Sequence, residues 1–102
     1  MSRLPKTLAE FSQTLSSSSP SADLPATLVA LWNDRKGNWD AAHGIAQDID
    51  DEDGAWIHAY LHRKQGDLGN AAYWYRRAGK PVSELSLEEE WEEIVGDLLA
   101  RM

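Results

Sequence analysis

His43, His58 and His62 are the residues of this chain whose type and spacing come nearest to a metal site. His58 and His62 stand at i and i+4 of one predicted helix, which lets two imidazoles reach one ion, and His43 is available from the helix before. A zinc-protease pattern also needs a glutamate directly after the first histidine as general base. Ala59 stands there, so that motif is absent. The imidazoles flank the apolar stripe of Ile57, Tyr60 and Leu61, and packing against neighbours is the reading the sequence favours for them. Metal or small-ligand binding through the three is the alternative.

Two charge clusters come next. Asp48 to Gly54 resembles a calcium loop only in composition: counted from Asp48, glycine falls at position seven instead of six and Ala59 occupies position twelve, where a bidentate glutamate is required. Acids just before a helix stabilise its positive end, and that is the role expected for them. Arg63, Lys64, Arg76, Arg77 and Lys80 supply half of all Lys and Arg, within a stretch whose single acid is Asp67. Cations at helix C-termini complement the macrodipole. Interleaved with Trp56, Tyr73 and Trp74, they also suggest a cationic aromatic surface for carboxylates or an acidic peptide. Docking of the chain's own Glu-rich C-terminal helix would use the same charges. Trp32, Trp74 and Trp91 lie on core stripes, whereas Trp56 stands beside its stripe and is expected to be an exposed contact.

No nucleophile elbow, phosphate loop or isolated carboxylate pair occurs, so no catalytic residue and no cofactor is expected and the chain reads as a non-enzyme. A net charge of −7 opposes binding to nucleic acid or to an anionic membrane. No apolar run approaches the length of a membrane span or a secretory signal, and cysteine is absent, which suits a reducing, cytoplasmic location. With 42% hydrophobic and 26% charged residues the 102-residue chain has the balance of one folded domain.

The elements that must position these residues are all helical. Residues 1–22 read as an arm: a short helix over about 5–15 (Leu8, Phe11, Leu15) and a Ser-rich connector. Residues 23–102 read as the folded domain, in which glycine and capping residues separate segments 24–36, 38–49, 55–65 and 67–79. Ser86 and Glu89 form a capping-box pattern at the start of a last helix. Leu87, Trp91, Ile94, Val95, Leu98, Leu99 and Met102 make its apolar face, and Glu88, Glu89, Glu90, Glu92, Glu93 and Asp97 its polar one.

An offset of 29 maps the first pair of segments onto the second. Leu28, Leu31 and Trp32 become Ile57, Tyr60 and Leu61; Gly37 and Asn38 become Gly66 and Asp67; Ala42, Ile45, Ala46 and Ile49 become Ala71, Trp74, Tyr75 and Ala78. Gly66, Ala71, Tyr75 and Ala78 have the spacing of the turn and second helix of a tetratricopeptide repeat, and 24–81 resembles that family in architecture. Arg63 stands where the family has an aromatic, and the period is 29 where the family has 34. The strings 56–63 and 73–79 are also similar to small bacterial proteins of no known activity.

The resemblance implies an all-α stack of two helical hairpins (24–49 and 55–79) with the C-terminal helix as cap. It also implies a non-catalytic module that binds a protein or peptide segment. Trp56, Arg63, Lys64, Tyr73, Trp74, Arg76 and Arg77 are its expected contacts. The apolar face of the last helix must be covered, either by its own chain, which the short 80–85 linker favours, or by a second copy in a homodimer.

Overall fold

Five of the six α-helices among the described residues begin at a side chain that accepts a hydrogen bond from an otherwise orphaned amide. Among the described residues, 4–102 of the computed structural model, the regular structure is helical throughout, with no strand. Helix α1 (Leu8–Gln13) runs into a 3₁₀ turn, Thr14–Ser16, and is followed by α2 (Ala26–Arg35), α3 (Trp39–Gln47), α4 (Glu52–Gln65), α5 (Leu68–Ala78) and α6 (Leu87–Ala100). None of these helices is long and apolar enough to cross a membrane.

The two turns that join α2 to α3 and α4 to α5 match bond for bond. Gly37 (φ 87°) and Gly66 (φ 90°) occupy the left-handed region, which glycine enters without the steric penalty of a Cβ. The Gly37 amide donates to Asp34 and the Asn38 amide to Asn33; 29 residues on, the Gly66 amide donates to Arg63 and the Asp67 amide to His62. The Asn38 and Asp67 side chains then accept from the Ala41 and Asn70 amides.

α4 is the central helix. Its residues from Gly54 to His62 are all buried, because α2, α3, α5 and α6 pack around it. The enclosed stretch of such a helix has no solvated face, so a polar side chain it carries there is expected to find a partner inside the protein. Tyr60 donates to Asp34, which also accepts from Lys64 at 2.9 Å. Arg63 reaches Glu90 on α6 at 2.8 Å and the Leu85 carbonyl, and the Tyr75 hydroxyl donates to the same Glu90.

α6 covers α2 and α4 in its own chain, with Trp91, Ile94, Val95, Leu98 and Leu99 buried and the Trp91 indole N–H donating to the Leu31 carbonyl. The apolar face of α6 is thus covered within its own chain.

Five expectations need correction. The N-terminal segment is not a separate arm: Phe11 is fully buried with its ring 5.8 Å from Trp91, and the Trp32 indole binds the Thr14 carbonyl. Helix α4 starts at Glu52 instead of 55, because Asp51 caps the Gly54 amide and the acids form its first turn. Trp56 is 4% exposed, since α4 has no outer side, and Lys80 lies 4.1 Å above its ring. Glu90 is completely buried instead of solvated: it follows Leu87 by three and precedes Ile94 by four, which puts it on the inner stripe. Met102 lies beyond the end of α6 and is exposed.

Trp91→Ala should cost about 3–5 kcal/mol, as for other buried large aromatics. In denaturant titrations its midpoint, like the parent's, should be independent of protein concentration. Gly54→Ala is expected to cost about 1–3 kcal/mol despite alanine's better helix propensity, because a Cβ there overlaps the Ile49 carbonyl and side chain. A parental midpoint for Gly54→Ala would show that the α3–α4 junction yields.

Candidate functional site

The three histidines come together where α3 crosses α4. His58 and His62 are one turn apart on α4, and His43 approaches from α3, whose start is fixed by the Asn38 cap. The ring centroids form a near-equilateral triangle of 4.6 Å (His43–His58), 4.8 Å (His58–His62) and 5.2 Å (His43–His62). One potential ligand atom from each lies within 4.8 Å of the other two.

Indoles close the triangle on two sides. Trp39 stacks on His43 at 4.8 Å, presents an edge to His62, and is held by a 2.9 Å hydrogen bond from its N–H to the Leu61 carbonyl. Trp74 stacks on His58 at 3.9 Å and 15°. Tyr73 meets Trp74 edge-on, and the Arg77 guanidinium lies over both rings, 5.3 Å from Trp74 and 5.7 Å from Tyr73. An aromatic column thus runs from α3, through the histidines, to the outer surface of α5.

His58 and His62 are 5% and 8% exposed, and the Nδ1 atom of each is buried without a hydrogen-bond partner. Burial, followed by the neighbouring His43 and His62, pushes the His58 pKa down to about 4. His43 is lowered as well, by burial and by His62, against the opposing pull of Asp40. Both are therefore neutral at physiological pH and carry lone pairs. A cleft of about 250 Å³ opens beside His58, with Asp50, Asp51 and Glu52 on one wall and Trp74 and Arg77 on the other.

The expected peptide-contact residues divide. Arg63 and Lys64 are committed inside the chain to Glu90 and Asp34, and Trp56 is in the core. Tyr73, Arg76 and Arg77 remain exposed on α5, with Trp74 half-buried beneath them. Trp39 was not among the sequence candidates. Its position four residues before His43 on the same helix is the signal that carried it. No protein-family model, curated protein or solved structure matches the chain.

The shift at His58 sets a pH dependence for the metal-free protein. The unfolded chain protonates this imidazole near 6.5 and the folded chain only near 4. The unfolded state therefore binds more protons between those values. Stability from this group is full above about pH 6.5 and falls by up to about 3 kcal/mol as pH drops towards 4. Denaturant titrations in chelator should show that loss in the parent and a shallower one in His58→Gln. Parallel profiles would mean that His58 is not held neutral.

Proposed function

We propose that the chain is a non-catalytic interaction module, a tetratricopeptide-like stack of the α2–α3 and α4–α5 hairpins capped by α6, and that the outer face of α5 binds an acidic segment of another protein. The matching turns at Gly37–Asn38 and Gly66–Asp67 support the repeat, because the same backbone bonds recur at the offset of 29.

One observation carries the binding reading. In a chain of net charge −7, Arg35, Arg63, Lys64 and Arg101 are engaged by carboxylates and Lys36 by two backbone carbonyls, yet Arg76, Arg77 and Lys80, like Lys6 in the N-terminal segment, have no carboxylate partner among the described residues. Arg76 and Arg77 sit in the last turn of α5, Arg77 over Trp74 and over Tyr73, which has 44% of its surface exposed, and Lys80 follows just past the helix end over Trp56. A guanidinium over two aromatic rings, Arg77 on Tyr73 and Trp74, next to the guanidinium of Arg76 forms a surface for carboxylates in a semi-apolar setting. The reading narrows the expected contacts to Tyr73, Trp74, Arg76 and Arg77.

The test is fluorescence anisotropy with a labelled Asp- and Glu-rich peptide at low ionic strength. Saturable binding that added salt weakens, and that Arg76→Glu with Arg77→Glu weakens at least tenfold, is the expected outcome. Equal binding by the parent and the double variant, or none by either, rejects the α5 face as the docking surface.

A further inference from the structure

We propose that His43, His58 and His62 bind one divalent transition-metal ion of the zinc class, a site that does not depend on the α5 docking surface. The juxtaposition itself is the first ground. Three imidazoles from two helices converge with their rings 4.6–5.2 Å apart, and indoles stacked on His43 and His58 limit how those rings turn.

The second ground is independent of geometry. Of the polar side chains on α4 between Tyr60 and Lys64, Tyr60, Arg63 and Lys64 each have an oxygen partner. The Nδ1 atoms of His58 and His62 are buried and have none. A buried polar atom left without a partner costs about 1–3 kcal/mol, and an apolar side chain at either position would fill the space without that cost. Coordination accounts for both atoms with one group, by giving their lone pairs an acceptor.

The ligand chemistry selects the ion. Three imidazole ligands suit Zn²⁺, Co²⁺, Ni²⁺ or Cu²⁺ and disfavour Ca²⁺ and Mg²⁺, which require oxygen. Zinc–nitrogen distances near 2.0–2.1 Å place tetrahedral ligand atoms about 3.3 Å apart. The three ligand atoms lie within 4.8 Å of one another, so an inward shift of about 1.5 Å closes the set. Three protein ligands leave one tetrahedral position for water. The cleft beside His58, with Asp50, Asp51 and Glu52 on its wall, gives a cation an acidic approach.

Isothermal titration of untagged, chelator-stripped protein with Zn²⁺, and separately with Co²⁺, tests the site. One ion per chain with Kd tighter than about 10 µM, weakened at least tenfold in His43→Gln, His58→Gln and His62→Gln, is the expected result. Near-ultraviolet circular dichroism should change on Zn²⁺ addition, because Trp39 and Trp74 stack on the ligands. Affinity no tighter than about 10 µM, or affinity that folded variants lose by less than tenfold, overturns the proposal. His43 on α3 is less buried than His58 and His62, so His43→Gln decides the matter if the two buried variants fail to fold.

Discussion

The enclosure of α4 is the constraint on which the rest of this structure depends. The middle of a helix packed on by four others cannot direct its polar groups to water, so the polar residues there dictate something about their neighbours. Tyr60 and Lys64 require an acceptor on α2 and find Asp34; Arg63 requires one on α6 and finds Glu90, which Tyr75 of α5 shares. These contacts fix where α2, α5 and α6 lie around the central helix. Buried ion pairs add little net stability compared with apolar packing, but the loss of one partner is severe. Asp34 and Glu90 therefore define the arrangement more than they strengthen it.

The fourth neighbour, α3, meets α4 through the histidines. There the polar groups are answered by aromatic faces, Trp39 on one side and Trp74 on the other, and two nitrogens are left over. The side of α4 without an internal oxygen partner is thus the side where His58 and His62 meet His43 of α3. The same column of rings continues to Tyr73 and Arg77 on the surface. Metal binding and peptide binding, as proposed, would share Trp74 as their common wall.

Charge is distributed with the same economy. The acids of the α4 first turn and of α6 meet helix N-termini, Arg101 joins Asp53 of α4 to Asp97 of α6, and Arg35 lies over Trp91 while binding Glu88. These exposed pairs are individually weak. Their main effect is to engage Arg35 and Arg101, while Arg76, Arg77 and Lys80 near the end of α5 stay without a carboxylate partner among the described residues.

The sequence by itself determined the helical class, the glycine-marked turns, the capping residues and most of the buried stripe, because these depend on the periodicity and backbone chemistry of neighbouring residues. It also placed His58 and His62 on one face, since i and i+4 coincide on any α-helix. Tertiary structure alone decided the rest. Whether Trp56 is outside, whether Glu90 is solvated, whether Phe11 belongs to the core and which cations remain free all depend on how many helices surround a given face. That His43 completes a triangle with His58 and His62 follows from the angle at which α3 crosses α4, and that angle is set by side chains far apart in sequence that pack together only once the chain has folded.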